Sequence, residues 1–586
     1  MDERRTKMNI VKHLVPETLD DLIRDAMEEW QVPGISLAVV GKDQPDHVKA
    51  FGWRDVEAEL PVTPDTQFTL CSITKSFTAL GLAMLVDDGL LDWEKPVREY
   101  LPDFRLHDAI ATDRVTVQDL LCHRSGLPRH DWIWMPGDMS RDEMFAALRH
   151  LEPSKDIRSD FQYCNLGYLV AGMIAERLSG QSWEDFTRAR IMVPLGMIHT
   201  GFSHEDLQCA PDSARPYVLE DVEKPGTYVR RRAALWSISD TPAGGINAAA
   251  SDMARYMRLY LADGEVDGTR LVSSARLRDL QTALIHSGKS EFAENGDAHY
   301  GFGLASRYYR GELVVSHSGG WIGWSTLMTL LPDRGFGITV LSNRAGNPAI
   351  DIATYAILDH LCGRDQVPWI DRFRERRRAF IAQRPIDHAA KAKQHRPNAP
   401  PRALDEYVGD YAHPGYGRIS ILQRKDRLQC NYRGMSGGMN HRHYDLFELD
   451  EQPDTLWPSN LTITFLYDRE GRIDRLCAPF ESQVPDIVFR RLAAGEALDP
   501  AFRQSCVGTY RNGATTLVVA LDKDDRLTLS PSGQPNYRLA PYRDRIFTLE
   551  GHEGFRLEFI SGEAGPPSTI IFYQPNGTFQ AQRETE

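Results

Sequence analysis

The chain has 586 residues, of which 42% are hydrophobic and 26% are charged. These proportions are ordinary for globular proteins and exclude collagen, coiled-coil and disordered chains. The formal net charge of -14 disfavours general binding of nucleic acids, which needs a basic surface. Because the sequence contains no run of about 18 apolar residues, no membrane-spanning helix is expected.

The cysteines and the N-terminus bear on the cellular compartment. Eight cysteines are too sparse for a disulfide scaffold in a chain of this length, and none has the spacing of a zinc site. The first ten residues, MDERRTKMNI, lack the apolar segment of a secretory signal. Both observations favour reduced thiols and a cytoplasmic protein, and neither a metal nor another cofactor is expected.

Residues 10–365 have the pattern of a mixed α/β (α+β) domain. Ile35–Val40 and Val48–Trp53 are predicted as a strand pair, and Thr74–Val86 as a buried helix because it is apolar on nearly every side. Three more strand-like runs lie near the end of this region, at Leu313–Ser316, Thr326–Leu331 and Gly337–Leu341. Strands at both ends predict one sheet that is completed by both ends of the domain.

Residues 366–402 differ in composition. Between positions 370 and 397 there are nine basic and three acidic residues, and the stretch ends in the proline-rich HRPNAPPRA. We interpret it as a solvated helical linker; a patch for nucleic acid or acidic lipid is the less favoured alternative.

The remaining sequence contains a repeat. VGDY at 408–411 recurs as VGTY at 507–510, and DRL at 426–428 recurs at 525–527, in both cases 99 residues later. Modules of this size with many short strands are usually small barrels or sandwiches. We predict two small antiparallel, lipocalin-like β-barrels, at 403–495 and 496–586.

The first candidate for chemistry is Ser72-Ile73-Thr74-Lys75, the one Ser-x-x-Lys in the chain. At the start of a helix, residues three apart lie on one face, so Lys75 can reach the Ser72 hydroxyl. A serine is a poor nucleophile unless a base lies beside it, and a desolvated lysine can act as that base. The alternative is a helix-capping serine followed by an exposed lysine.

Tyr163-Cys164-Asn165 precedes a predicted helix. A tyrosine near a lysine can transfer protons, and the amide of Asn165 can donate and accept hydrogen bonds to a substrate. The pattern is not specific, because Tyr510-Arg511-Asn512 also fits it.

The pattern His-x-Gly is common in this chain, and the occurrences considered as candidates include His286, His317, His413 and His552. Of these, His317 directly follows a strand-like run. The four residues after it are candidates for substrate and oxyanion contacts: Ser318, Gly319, Gly320 and Trp321. The two glycines would let a substrate approach the strand backbone.

In this order the three motifs resemble the penicillin-recognising serine hydrolases, which include class C β-lactamases, DD-peptidases, D-aminopeptidases and esterases. Further similar segments are VTVQDLLCHRSGLP at 115–128, PAGGI at 242–246 and YGFGL at 300–304. The resemblance implies a β-lactamase/transpeptidase-like catalytic domain, and a domain order closest to that of D-aminopeptidase. It implies that Ser72 is the acylated nucleophile, Lys75 and Tyr163 carry protons, Asn165 binds substrate, and the backbone N–H groups of Ser72 and Gly320 form an oxyanion hole.

The third motif departs from the family pattern. Relatives that act on β-lactams or on C-terminal carboxylates usually have lysine where this chain has His317, and a histidine is mostly neutral at pH 7. We therefore expect a catalytic His317 and a small amide or peptide substrate, with aminopeptidase- or amidase-like activity and a preference for D-residues. An esterase is the alternative, ahead of a β-lactamase, a DD-carboxypeptidase or a non-catalytic penicillin-binding protein. A homodimer is left open.

Gly434–Asn440, with the HRHY that follows it, is our candidate for a barrel loop that reaches the active site. The contacts expected from it are Met435, Met439, His441 and His443. The alternatives for the two histidines are a metal site and a purely structural pair. A thiol mechanism through Cys71 or Cys164 is disfavoured, since both fit as small buried residues.

Overall fold

The structure, a computed structural model, describes residues 15–219, 228–230, 241–394, 402–450, 461–493, 495–552, 554–561 and 565–584. Within these residues one nine-stranded antiparallel sheet organises the catalytic domain. In spatial order its strands are Ile285–Gly288, Ala298–Tyr300, Ala305–Tyr309, Glu312–Trp321, Trp324–Leu331, Phe336–Ser342, Gly34–Gly41, Gln44–Asp55 and Leu60–Pro61. Ile35 pairs with Ser342, so both ends of the domain complete one sheet, as the sequence predicted.

Helices pack against both faces of this sheet and against one another. The helices of the catalytic domain are Glu17–Glu29, Thr74–Asp87, Val97–Tyr100, Ala109–Arg114, Val117–Leu121, Arg141–Ala147, Asn165–Ser179, Trp183–Thr187, Val193–Leu195, His204–Cys209, Thr241–Gly244, Ala250–Leu261, Ser274–Leu280, Ala349–Leu361 and Trp369–Gln394. Shorter strands are Phe68–Thr69, Thr200–Gly201, Tyr217–Leu219, Tyr228–Arg230, Asn247–Ala248, Glu265–Val266 and Thr269–Arg270.

The alternating side chains of the first strand contribute to two separate apolar cores. Leu37 and Val39 belong to the core beneath the N-terminal and C-terminal helices of the domain. Ala38 and Val40 belong to the core on the opposite face. Because that second core also contains Phe77 of the helix Thr74–Asp87, the helix after Ser72 is surrounded by packed side chains, as its apolar sequence predicted.

The stretch that was predicted as a solvated linker begins with a helix that belongs to the catalytic domain. In Trp369–Gln394 the side chains of Trp369 and Phe373 are buried in the core beneath the terminal helices. Arg374 donates to Glu29 at 2.8 Å, and Arg377 binds the same carboxylate. The linker prediction counted charges and missed two aromatic residues one helical turn apart. Residues 395–401 lie outside the described residues.

Two closed eight-stranded antiparallel barrels follow, which confirms the fold class. The strands of the first barrel are Gly409–His413, Gly417–Arg424, Arg427–Tyr432, Met435–His443, Leu446–Leu449, Thr462–Tyr467, Ile473–Ala478 and Ile487–Arg491, preceded by the helix Leu404–Tyr407. Those of the second are Gly508–Asn512, Thr515–Leu521, Leu527–Pro531, Tyr537–Arg543, Ile546–Leu549, Arg556–Ser561, Pro567–Gln574 and Gly577–Arg583, preceded by Pro500–Cys506.

The sequence repeat corresponds to the same closing contact in each barrel. Tyr411 and Tyr510 each donate a hydroxyl hydrogen bond to the carbonyl oxygen four residues earlier, over 2.9 and 3.0 Å. An arginine from the last strand lies against each ring, Arg491 in the first barrel and Arg583 in the second. Each arginine also donates to the carbonyl oxygen three residues before its tyrosine. The repeated VG-x-Y segment is therefore the point where each barrel closes.

The segment 434–444 is not a loop that extends from the barrel, and that prediction was wrong. Met435–His443 is a strand that pairs with both of its sequence neighbours. A Cβ at Gly438 would lie 2.2 Å from a guanidinium nitrogen of Arg427, which crosses the strand to bind Asp450 at 2.6 Å. The glycine makes room for this ion pair and does not permit a long excursion.

The four residues expected in that loop lie on this strand. Met439 is buried in the first barrel and Met435 is partly buried. His441 Nε2–H donates to the Tyr444 carbonyl oxygen at 2.8 Å, and His443 lies with its ring 5.9 Å from the Tyr444 ring. These are contacts within the barrel.

A different part of the first barrel meets the catalytic domain. The His130 backbone N–H donates to Glu481 Oε2 at 2.8 Å, and the Tyr416 hydroxyl donates to His130 Nδ1 at 2.6 Å. The Trp132 ring stacks on Phe480 with centroids 4.8 Å apart. All five side chains are buried, so the barrel holds the segment around residue 130 tightly.

Candidate active site

Ser72 lies in a short turn between the sheet and the buried helix. One turn of 3-10 helix, Cys71–Ile73, runs directly into Thr74–Asp87. Cys71 has a φ of 52°, a left-handed conformation that costs energy for any residue with a Cβ and persists only where the surroundings enforce it. Thr326 Oγ1 donates at 2.8 Å to the carbonyl oxygen two residues before Ser72, which fixes the turn against the central strand.

Lys75 is fully buried one helical turn after Ser72. Its Nζ donates to three oxygen atoms: Ser72 Oγ at 3.1 Å, Asn165 Oδ1 at 2.7 Å and the Ala243 carbonyl oxygen at 2.7 Å. Three acceptors match the three N–H bonds of an ammonium group and hold the nitrogen beside the serine hydroxyl. Ala243 belongs to the PAGGI segment, to which the sequence analysis gave no contact.

The second motif meets the same lysine. Asn165 is buried at the start of the helix Asn165–Ser179, which fixes the position of its side chain. The Tyr163 ring is partly buried, and its centroid lies 4.9 Å from Lys75 Nζ. Tyr510, from the competing Tyr-x-Asn, lies in the second barrel and closes that barrel, so the structure separates it from this cluster.

His317 is buried, and both of its ring nitrogens are engaged. Nδ1–H donates to the Ser318 carbonyl oxygen at 2.6 Å, so Nε2 is the acceptor for the Tyr300 hydroxyl at 2.7 Å. Burial, with a further contribution from the charge of Lys75, lowers the pKa of His317 to about 3. The imidazole is therefore neutral at pH 7. With both nitrogens occupied, the ring is held in one orientation, and a catalytic role for His317 stays a prediction.

The two glycines after His317 serve different purposes. A Cβ at Gly319 would lie 2.1 Å from the Leu70 carbonyl oxygen and 2.3 Å from Thr326 Oγ1, so only glycine lets this strand approach the Ser72 turn. A Cβ at Gly320 would meet no atom within 4 Å. Gly320 therefore borders open space next to the turn, where a substrate can approach its backbone.

The remaining candidates in the third motif form the edge of the site. Ser318 is exposed. Trp321 is partly buried, and its ring lies 5.1 Å from that of Trp134. Trp134 comes from the segment held by the first barrel, so the barrel supports this edge indirectly.

Sequence reasoning missed one buried histidine, His123. The His123 ring lies 4.3 Å from the Tyr163 ring, and its Nδ1 accepts from the backbone N–H of the residue after Tyr163. Burial, together with the positive charge of Lys75 and smaller contributions from His317 and Arg129, lowers the pKa of His123 well below its usual value. His123 lies within the segment 115–128, which resembles the family. The sequence therefore pointed to this segment but did not show that His123 contacts Tyr163.

The two cysteines beside the motifs are buried thiols. Burial raises the pKa of Cys164 to about 12 and raises that of Cys71 further. Both remain protonated at neutral pH, and a protonated thiol is a weak nucleophile.

Among the described residues, no group of three or more histidine, cysteine or acidic side chains is arranged to hold a metal ion. No helix in the described part of the chain has the length and apolar composition that crossing a membrane requires.

Comparison with known proteins gives matches along most of the chain. The Beta-lactamase family model matches residues 19–361, and the model of a domain of unknown function, DUF3471, matches residues 393–491, which include the first barrel. An unguisins hydrolase of Aspergillus campestris is 29% identical over 438 residues, covering 70% of this chain and 78% of its own. Penicillin-binding protein 4 of Amycolatopsis lactamdurans is 31% identical over 328 residues, covering 54% of this chain and 82% of its own.

A solved structure extends the likeness into the barrel region. The octameric penicillin-binding protein homologue from Pyrococcus abyssi is 25% identical, with a TM-score of 0.54 over 81% of this chain and 99% of that one. The family model spans more than half of the chain, and the cluster of Ser72, Lys75, Tyr163 and Asn165 lies inside the matched region. The chain belongs to the Beta-lactamase family and is a penicillin-recognising serine hydrolase.

Proposed function

We propose that this protein hydrolyses small amides or peptides through an acyl-enzyme on Ser72, with a preference for D-residues. The observation that carries the proposal is the partly buried contact of 3.1 Å between Lys75 Nζ and Ser72 Oγ, with Tyr163 against the same lysine. The contact holds Nζ beside the serine hydroxyl before the substrate arrives, so that Lys75 in its amine form can accept the hydroxyl proton.

In the acylation step, Ser72 Oγ attacks the carbonyl carbon of the substrate. Its proton passes to an unprotonated Lys75 or to the oxygen of Tyr163. The carbonyl oxygen becomes an oxyanion, for which the backbone N–H groups of Ser72 and Gly320 are the proposed donors. The open space at Gly320 supports this assignment, because it leaves room for the substrate. Asn165 Oδ1 is engaged by Lys75, so its Nδ2–H group is the part that can donate to the substrate.

Expulsion of an amine requires that its nitrogen gain a proton as the C–N bond breaks. The proton taken from Ser72 is held within the Lys75–Tyr163 pair and can be returned to that nitrogen. Water then attacks the acyl carbon, and the same pair removes the proton of the water. As the bond between Ser72 Oγ and the acyl carbon breaks, the pair returns a proton to Oγ and regenerates the serine. Two adjacent proton carriers favour amide substrates, because an amine must be protonated as it leaves. An ester with a good leaving group does not need this proton.

An esterase that uses the same residues is the alternative. It is supported by the acyl-enzyme chemistry, which is common to both reactions. The names of the relatives differ in their ligands, unguisins in one and penicillin in another, and support a hydrolase without selecting the substrate.

The test is a panel of D- and L-aminoacyl p-nitroanilides and short-chain p-nitrophenyl esters. We expect turnover of D-anilides, and a loss of about 10³-fold or more in Ser72→Ala. Tyr163→Phe should lower anilide hydrolysis about 10²–10⁴-fold and ester hydrolysis much less. Tyr510→Phe, from the other Tyr-x-Asn, is the matched control and should match wild type. Ester turnover without anilide turnover would favour the esterase.

A further inference from the structure

One segment connects the second motif to the third on the exposed side of the site. At its start, the Arg129 guanidinium carbon lies 5.1 Å from the centroid of the Tyr163 ring. Five residues later, Trp134 packs against Trp321 of the third motif. A group attached to this segment is therefore placed where a substrate bound at Ser72 would extend.

The Arg129 side chain is held in place and partly open. Its Nε donates to Asp131 Oδ2 at 2.6 Å, and Trp134 Nε1 donates to the other oxygen of Asp131 at 2.9 Å. In the described part of the chain this is the one hydrogen bond that the guanidinium donates, and the side chain is 47% exposed. Nη1 and Nη2 thus remain available, and they form the fork that binds a carboxylate through two parallel hydrogen bonds.

The charged groups around Tyr163 include two cations. Lys75 and Arg129 both lie close to its ring. The nearby imidazoles of His123 and His317 are neutral, and their pKa values are lowered by burial first and then by the charge of Lys75. Two carboxylates also lie on or against this segment, where Asp131 accepts from Arg129 and Glu481 accepts from the backbone N–H of residue 130. A substrate carboxylate would therefore be attracted by the Arg129 guanidinium itself and not by a net positive charge of the region.

The first barrel makes the segment rigid. His130, between Arg129 and Asp131, is buried and bonded through its backbone N–H to Glu481 and through Nδ1 to Tyr416. Its Nε2–H also donates to the Glu152 carbonyl oxygen at 3.0 Å. A binding group whose backbone is fixed on both sides loses little conformational freedom when it binds a ligand.

We propose that Arg129 determines specificity by binding a carboxylate of the substrate through Nη1 and Nη2. The substrate class is then acidic amides or peptides with a free carboxylate near the scissile bond. The neutral His317 leaves this role to a residue outside the three motifs. The identity of the reaction rests on the proposed function, whereas the carboxylate site stands on the geometry of Arg129 alone.

Kinetics with two matched pairs of compounds test the proposal. One pair carries the charge on the acyl side: 4-nitrophenyl hydrogen succinate and its methyl ester. The other carries it on the leaving group: N-acetyl-D-alanyl-D-alanine and its C-terminal amide. For at least one pair, Arg129→Gln should lower kcat/KM of the charged member tenfold or more and that of the neutral member less than twofold. Arg129→Lys keeps the positive charge but loses the two parallel N–H donors. Its kcat/KM for the charged compound should therefore lie between the values of wild type and Arg129→Gln. Arg278→Gln, which removes an exposed cation from a helix, is the control and should change neither.

Calorimetry separates a failed carboxylate site from a failed proposed function. In the Ser72→Ala protein, which retains the pocket, at least one of two carboxylates should bind tighter than its uncharged counterpart. They are N-acetyl-D-alanyl-D-alanine, compared with its C-terminal amide, and succinate monoamide, compared with its methyl ester. Adding Arg129→Gln should remove the difference. If wild type cleaves none of the compounds but the difference in binding exists, the proposed function is wrong and the carboxylate site stands. Equal losses for charged and neutral compounds, or no loss for either, overturn the carboxylate site.

Discussion

The two barrels share one sequence pattern and one closing contact, but they differ in their relation to the catalytic domain. The apolar core of the first barrel is continuous with the core that contains the Ser72 helix. The second barrel has a separate core of its own. It meets the first barrel through Arg556, which donates to Asp468 at 2.7 Å and also binds Glu470.

The side chains at one end of each barrel explain the difference. In the first barrel Tyr416, Tyr432 and Phe480 are buried around Trp132 of the catalytic domain. In the second barrel a cavity of about 340 Å³ has an edge formed in part by Phe579, which is 40% exposed. Closure therefore depends on the repeated strand pattern, whereas docking depends on aromatic residues at one end. The comparison indicates that the first barrel is part of the catalytic unit and the second is attached to it.

The largest expected effect comes from removing one barrel or both. A chain of residues 1–493 should keep kcat/KM for a small activated ester within about twofold of the full chain. A chain of residues 1–394 should lose about 10²-fold, because the segment at Arg129 and Trp134 loses its support and small displacements in an active site are costly. The measurement is ester hydrolysis, with circular dichroism to verify folding. Equal activity of both truncated chains would break the comparison.

A fall in pH should lower the stability of the catalytic unit more than that of the second barrel. The pKa of His317 is about 3 in the folded protein and about 6.5 in an unfolded chain, so the unfolded state binds more protons between these values. Stability is complete above about pH 6.5 and is lost as the pH falls toward 3, by about 2 kcal/mol at pH 5 from this residue alone. Burial lowers the pKa of His123 and of His130 as well.

Calorimetric scans at pH 7 and pH 5 should show this loss in the transition of the catalytic unit. The second barrel, whose one histidine, His552, is exposed, should unfold at a nearly constant temperature. His317→Asn should reduce the acid sensitivity of the first transition. Two transitions that shift together would contradict the division into a catalytic unit and an attached barrel.

The smallest effect compares two buried tyrosines, one from each barrel. Tyr416→Phe removes the hydroxyl that donates to His130 Nδ1 and leaves a buried acceptor unpaired, at a cost of about 1–3 kcal/mol. We expect a less stable catalytic unit and a modest fall in kcat/KM. Tyr510→Phe, which removes a hydroxyl bond inside the second barrel, should cost about 1 kcal/mol in the second transition and leave activity unchanged. The check is calorimetry combined with ester hydrolysis.

Sequence reasoning succeeded where the relevant groups are close in the chain. Ser72 and Lys75 are one helical turn apart, and the barrel repeat is visible as matching tetrapeptides. It failed where a contact joins distant residues, as between His130 and Tyr416, which are 286 positions apart. Gly438 was misinterpreted for a related reason, because the arginine side chain that needs the space beside it comes from the neighbouring strand. Composition alone likewise misplaced Trp369, whose ring packs against Phe292 and Tyr355 of the catalytic domain.

The central sheet has a consequence for synthesis of the protein. Strand Gly34–Gly41 is paired on one side with Phe336–Ser342, so one of its edges stays unpaired until the ribosome has added about 300 more residues. At about 5–20 residues per second, this takes roughly 15–60 seconds. Each barrel, by contrast, closes within its own stretch of fewer than one hundred residues. During translation the chain therefore carries the exposed apolar strand GISLAVVG for roughly 15–60 seconds, a period in which it can pair with other nascent chains and in which a chaperone would protect it.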